Sequence, residues 1–359
     1  DLSSYAVFGE VYLELTDSLK LTGGLRWTQD RKAQVNRSLL LEEGPYVSNT
    51  MKTEAWTGRA GFDWRPAFDP TGETLVYGFY SRGYKGGGFN PDGPDVGVPA
   101  WFDPEFIDAF EAGVKTRIGE RLWLNAAAFH YDYNGLQISK SLNQTILNEN
   151  VDAKIWGIEA EGAFKLEHGV QIDFSMSHLN TEVGDTLSID PRDPTGGLPG
   201  FVTIKDTNPL SATAGGNCVA TTAQLTTLLG GQPFGSCSSR SLNLSPGNPV
   251  NLKGRELPNS PDWNLNLGLQ KSGSLGGLTY LARVDYSVRS AFWGRIFNTD
   301  PIDRIKGWQV LNAFVEVRPT SSELYLRAAV SNLLDADNIT GHYLTDPVNG
   351  LATNVFTLR

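Results

Sequence analysis

The residues best suited to chemistry lie in one run, Tyr80 to Asn90, which reads Y-S-R-G-Y-K-G-G-G-F-N. Arg82 and Lys85 offer cationic donors to the anionic groups of a ligand, and Tyr80 and Tyr84 offer rings for stacking. Three consecutive glycines, Gly86 to Gly88, then let the backbone take positive φ and approach other groups closely, before Phe89, Asn90 and Pro91 close the loop. Such a run serves either as a rim that shapes a ligand vestibule or as a strand-to-loop transition whose glycines serve geometry alone. Trp101, Phe102, Phe292 and Trp293 fall in long connecting segments beside Arg and Asn. Exposed rings in that company suit a planar or hydrophobic ligand, with an interfacial girdle as the alternative.

Covalent chemistry is not legible. The chain has no nucleophile elbow, and its triple glycine lacks the Lys-Ser/Thr that completes a phosphate loop. His130, His168, His178 and His342 are scattered without metal-ligand spacing. Asp190 and Asp193 could hold calcium, but each precedes a proline, and turn chemistry explains them better. Neither an enzyme nor a cofactor is expected. A formal net charge of -10 disfavours nucleic acid, which needs clustered Lys and Arg. Cys218 and Cys237 share one segment rich in Gly, Ser, Thr, Asn and Pro; a loop disulfide in an oxidising compartment is the expectation, two free thiols the alternative.

The elements that must position these residues repeat with a period of two. In a chain of 359 residues, strand one (3–16) sets Tyr5, Val7, Val11, Leu13 and Leu15 against Glu10 and Glu14. Strand two presents Leu19, Leu21, Leu25 and Trp27, strand three Trp56, Ala60, Phe62 and Trp64, and strand five Phe110, Ala112, Val114 and Ile118. Strand four is the 75–82 run, with Tyr77 and Phe79 opposite Tyr80 and Arg82. Strand six, from Arg121 to about Ile138, carries apolar residues on both parities, so its faces stay unassigned. Strand seven (Trp156, Ile158, Phe164) and strand eight (Ile172, Phe174, Met176) follow, and strands nine to twelve resume after a patternless stretch at about 184–255.

The connections alternate strictly. Short ones fall at 17–18, 66–72, 119–120, 168–169, 272–276 and 319–322. Long ones fall at 34–51, 83–104, 139–150, 184–255, 291–306 and from 335 onward. A membrane barrel with short turns on one side and long loops on the other has this order, and a Greek-key sandwich does not. Outward Trp27, Trp56 and Trp156 near the long-loop rim and Trp64 near the short-turn rim fit interfacial girdles. Mean hydropathy of -0.26 agrees, because alternating strands average near neutral. Lumen-facing Arg59, Arg65, Arg117, Arg283, Glu111, Glu159 and Glu161 then form a mixed-charge wall. The fold class expected is all-β, a transmembrane antiparallel β-barrel in contact with outer-membrane lipid, and 1–359 reads as a single domain.

Several stretches resemble the barrel of TonB-dependent outer-membrane receptors. They are S-Y-A-V-F-G-E-V-Y from Ser4, L-T-G-G-L-R-W-T from Leu21, the Tyr80 run, and L-N-A-A-A-F-H-Y-D-Y from Leu124, followed by W-G-I-E-A-E-G from Trp156, L-P-N-S-P-D-W from Leu257 and V-S-N-L-L-D-A-D-N from Val330. The subtype is similar to siderophore receptors. The resemblance implies a barrel of 22 strands around a plug, energy coupling through an inner-membrane complex that pulls the plug, extracellular loops that capture a ferric siderophore, and a place in the bacterial outer membrane. It implies that this chain is the C-terminal part of the barrel, about 12 strands, roughly strands ten to twenty-one, without plug, coupling motif or closing strand. A half-barrel of that kind would expose backbone edges that lipid cannot satisfy. A passive porin-like or structural barrel is the alternative, and a soluble glycan-binding sandwich a distant third.

Overall fold

The computed structural model describes residues 1–37, 46–67, 73–91, 98–142, 145–208, 216–229, 231, 234–235, 237–239, 242–301, 303–344 and 355–358. Twelve strands form one antiparallel sheet in strict sequence order. They are β1 (Leu2–Thr16), β2 (Leu19–Asn36), β3 (Val47–Trp64), β4 (Leu75–Lys85), β5 (Glu105–Ile118) and β6 (Leu122–Leu142), then β7 (Thr145–Lys165), β8 (Val170–Val183), β9 (Trp263–Leu275), β10 (Leu278–Arg289), β11 (Trp308–Pro319) and β12 (Leu326–Val330). Each strand pairs with the next, so the amides and carbonyls of β2 to β11 bond to neighbours on both sides, as a wall through hydrocarbon requires, while β1 and β12 form the two edges of the sheet. Among the described residues no helix is long and apolar enough to cross a membrane, which says nothing of a β-barrel.

Register assigns the faces, because residues directly opposite in an antiparallel pair point the same way. One face carries Val7, Trp27 and Trp56 in line, then Leu21, Phe62, Gly78, Ala112, Ala128 and Ile158. Its side chains are open, with Val7 at 72% and Trp56 at 59% exposure, as for a surface that meets lipid rather than water. The opposite face is polar and internally bonded. Arg59 pairs with Glu10, Arg283 with Asp173 at 2.6 Å, and the Tyr77 hydroxyl donates to Glu111 at 2.8 Å.

Register also settles β6. Leu122, Leu124, Ala126 and Ala128 share the outer face with Phe164, Gly162, Ala160 and Ile158. Trp123, Phe129 and Tyr131 therefore turn inward. The alternation was obscured because aromatic rings stand on the polar wall, where Phe129 covers Gly157 of β7. A Cβ at Gly157 would lie 2.6 Å from the Phe129 ring and 2.5 Å from the His178 carbonyl oxygen.

Several expected connections change. The ladder continues to Asn36 opposite Val47 and to Leu142 opposite Thr145, so 34–36 and 47–51, and 139–142 and 145–150, are strand. Beyond the bilayer neither face needs to be apolar, so the alternation ends while the backbone pairing goes on. The 21-residue β6 and β7 far exceed the roughly 9–11 residues a tilted crossing needs. The turn at 119–120 takes in residue 121, since Ile118 pairs with Leu122. The turn placed at 272–276 is the two-residue Gly276–Gly277, with φ of 58° and 80°, the positive values that a tight type I′ hairpin demands. The 184–255 segment is structured: Phe201–Asp206 pairs with Asn217–Thr221 and Phe234–Gly235, beside the helix α1 (Thr222–Leu229). Cys218 and Cys237 are joined by a disulfide within this unit. Near the end of the chain, Gly341–Leu344 pairs with Val355–Leu358.

Gly157→Ala tests the close packing of the wall. Its methyl group would press on backbone as well as on a ring, so a loss of about 1–3 kcal/mol is expected in detergent unfolding. Gly9→Ala, where no atom lies within 4 Å, should be close to neutral and serves as the control.

Candidate functional site: the long-loop rim

The Tyr80–Asn90 run divides at Arg82. Up to that residue β4 pairs with both neighbours, and Tyr80 and Arg82 lie opposite Ala60 and Gly58 on the outer face. There Asp108 of β5 accepts hydrogen bonds from the Tyr80 hydroxyl and from Arg82, both at 2.6 Å, while the guanidinium sits 4.9 Å from the Phe106 ring centre. Neither side chain faces a vestibule, and Arg82 is committed to a carboxylate. The sequence pattern showed that they share a parity and not which face that parity occupies.

Past Arg82 the strand leaves β3, and its end is fastened from several sides. Tyr84 donates to Asp30 of β2 at 3.0 Å, and Lys32 donates to the carbonyls of Gly86 and Gly87. Gln137 of β6 donates to Gly86 O at 3.2 Å and to Asp103 O at 3.1 Å. A Cβ at Gly87 would lie 2.4 Å from the Phe102 carbonyl oxygen, so glycine is what lets residues 101–104 pass so near. Gly88–Phe89 then pairs with Trp101–Phe102.

Asn90 is the keystone of this loop. It is 1% exposed, its amide nitrogen donates to Asn148 O at 2.8 Å and Pro99 O at 3.2 Å, and its Oδ1 accepts from Asn148 N at 3.0 Å. The side chain thus completes a backbone-like ladder with β7, and has no polar atom to spare for a solute. Phe292 is likewise buried, at 2% exposure, beneath the Arg289 guanidinium. Trp293 stacks with Arg304 at 4.7 Å. Of the ten candidates, Trp101 stands clearly open, at 58% exposure, and the Lys85 side chain is 61% exposed, 3.6 Å from Glu105.

A second layer, invisible in the sequence, ties the long segments together. Lys140 of β6 meets Glu149 of β7 at 2.7 Å and donates to Ser188 Oγ at 2.8 Å, and Ser188 donates to Glu149 at 2.7 Å. Arg295 donates to Asp190 at 2.8 Å and to Asp303 at 2.7 Å. Burial works against the Arg295 charge, yet its two carboxylate partners outweigh that and hold its pKa above the usual arginine value. These contacts join 184–255, 291–306 and the β6–β7 hairpin into one cap. The contacts of Ser188 with Glu149 and of Arg295 with Asp190, 39 and 105 positions apart, leave no local signal to find them by. Asp190 and Asp193 also accept from the backbone of Arg192 and Thr195, the turn role expected of them. Among the described residues no three His, Cys, Asp or Glu side chains are grouped to hold a metal.

The chemistry available here is non-covalent capture by an open ring and a cation on a stiff rim. Removing Arg295 should show how stiff: Arg295→Met leaves the fully buried Asp303 carboxylate without its best partner. We expect a local loss of about 3–5 kcal/mol, read as faster amide exchange at 187–192 and 303–305. Arg295→Lys should recover part of it.

The family model described as TonB dependent receptor-like, beta-barrel, matches residues 1–333. Solved structures agree in fold. The ferric yersiniabactin uptake receptor FyuA from Yersinia pestis superposes with a TM-score of 0.66 at 15% identity, over 99% of this chain and 44% of that one. The siderophore receptor PiuA from Acinetobacter baumannii gives 0.59 at 17% identity, over 99% and 41%. The copper transporter OprC gives 0.59 at 16% identity, over 99% and 45%. The chain thus spans less than half the length of these structures. The family is one of bacterial outer-membrane receptors and transporters rather than enzymes. Twelve strands in sequence order, an apolar outer face and a match over nearly all of the wall make this chain a member of the TonB-dependent receptor β-barrel family.

Proposed function

We propose that this chain forms the wall and ligand-selective rim of an energy-coupled outer-membrane receptor that imports a scarce ligand, a ferric siderophore. The observation that carries the proposal is the barrel-family match over residues 1–333 of a wall whose long segments are locked into a cap on one side. The choice of ligand is supported by the uptake of ferric yersiniabactin named for one structural neighbour and by the siderophore receptor named for another; a third, the copper transporter, keeps other metals within the class.

In this scheme the cap and Trp101 take the ligand from outside, with Lys85 meeting its anionic groups. The wall holds its shape while an inner-membrane energy-coupling complex acts through a plug in the lumen. Glu111, Glu159 and Glu161 line a concavity of about 350 Å³ on the inner wall, where such a plug would pack. No residue needs to make or break a covalent bond.

Uptake of radio-iron as a ferric hydroxamate, a ferric catecholate and ferric citrate, in cells carrying the complete gene, tests the proposal. One chelate should accumulate, and accumulation should collapse when an uncoupler removes the proton-motive force. A pore that conducts in planar bilayers with no energy-dependent uptake would make the protein a passive channel. Trp101→Ala should raise the half-saturating concentration roughly tenfold with the maximal rate kept. Arg82→Gln, on the outer face, should leave capture unchanged.

A further inference from the structure

The outer face beyond the long-loop girdle carries four described cations, Arg31, Lys52, Arg82 and Lys154, and they are not equivalent. Arg82 is neutralised by Asp108 at 2.6 Å. Lys154 stands between Asp132 on β6 and Glu182 on β8. Arg31 on β2 is placed directly opposite Lys52 on β3, and its other cross-strand neighbour is the uncharged Ser3. Like charges directly opposite destabilise a sheet. Lys52 also pairs with Glu54 at 2.8 Å, on side chains 58% and 51% exposed, and Asp1, opposite Ala33, lies diagonally from Arg31, so each cation has a carboxylate to one side while the two cations stay directly opposite each other.

The position of the patch says what could relieve it. Two rungs toward the membrane from Arg31–Lys52 lies the Trp27–Trp56 pair, and next to it the open apolar band of Val7, Val11, Leu13 and Leu15 on β1. Tryptophans of this kind mark the boundary of the hydrocarbon. Two same-face rungs are four residues of strand, roughly 13 Å along a strand tilted at about 45° and so roughly 9 Å along the membrane normal, a span that the long Arg and Lys side chains reach back across to the headgroup layer. The guanidinium fork matches phosphate oxygens two at a time, and the ammonium adds a point charge.

We propose that Arg31 and Lys52 form a binding site for the phosphate of a membrane lipid headgroup, with the acyl chains lying over the Trp27–Trp56 pair and the β1–β3 band. The site goes beyond ligand uptake and rests only on the outer face being the lipid face. A receptor that imported nothing could still hold this lipid, and an active importer could lack it.

Native mass spectrometry of the complete protein, extracted in mild detergent and titrated with diphosphoryl lipid A, decides the matter. The wild type should retain one lipid that an R31Q/K52Q variant binds roughly thirtyfold more weakly. E54Q, which removes the carboxylate beside Lys52, should bind about fivefold more tightly. An R31K/K52R variant keeps both charges and should bind like the wild type. Dephosphorylated lipid A should not distinguish wild type from R31Q/K52Q. Equal retention of diphosphoryl lipid A by wild type and R31Q/K52Q would overturn the proposal. So would loss of binding in the charge-preserving variant, or displacement by inorganic phosphate at matching concentration, which would mark a site for a free ion.

Discussion

A peptide group in hydrocarbon finds no water to bond, so each one must be satisfied by the chain itself. The strict sequence-order ladder answers that constraint between the two edge strands β1 and β12, and everything else in the molecule depends on it. Strands β8 and β9 are separated by the whole 184–262 segment and still pair without a break from Val170–Lys271 to His178–Trp263. The wall therefore tolerates very different lengths of chain at its long-loop end, provided the two strands return in register. Large elaborations, such as the disulfide-linked unit around Cys218 and Cys237, can sit there without disturbing the part that meets lipid.

The same ladder dictates where side chains can be large. Adjacent strands lie about 4.8 Å apart, so a ring laid sideways needs a neighbour with no side chain. Phe129 over Gly157 and Tyr77 over Gly113 on the inner wall, and Phe62 over Gly78 on the outer, all use that arrangement. At these positions glycine is the counterpart of a ring rather than a sign of looseness.

Beyond the bilayer the forces change. The rim is held by buried ion pairs and side-chain hydrogen bonds, with Arg295 between two carboxylates, Lys140 beside Glu149, and Asn90 completing a ladder. Buried charges are expensive to desolvate and costly to separate, which suits a structure that must keep one arrangement of its segments. Under the proposed function, ligand capture would fall to the few groups the rim leaves open. Trp101 and Lys85 remain available, whereas Asn90, Phe292, Tyr84 and the glycines hold the scaffold in place.

How much of this was legible in the sequence follows from what is local. The period of two in Tyr5, Val7, Val11, Leu13 and Leu15 arises within one strand, and so does the contrast between a two-residue turn such as Asp17–Ser18 and a long loop. Together they determine an all-β wall with one lipid face and a long-loop rim. The pattern failed where its cause was absent: past the hydrocarbon, where β2, β3, β6 and β7 continue without alternation, and on β6, where rings stand on the inner face and Phe129 rests on Gly157 of another strand. The site was less legible still. The Tyr80–Asn90 run stood out, yet the tertiary structure sent Tyr80 and Arg82 outward and buried Asn90. It also brought Arg295 to Asp190 from 105 residues away. Parity is a property of one strand. Which parity faces lipid, and which distant charge stands opposite, depends on neighbouring strands and loops that only folding brings together.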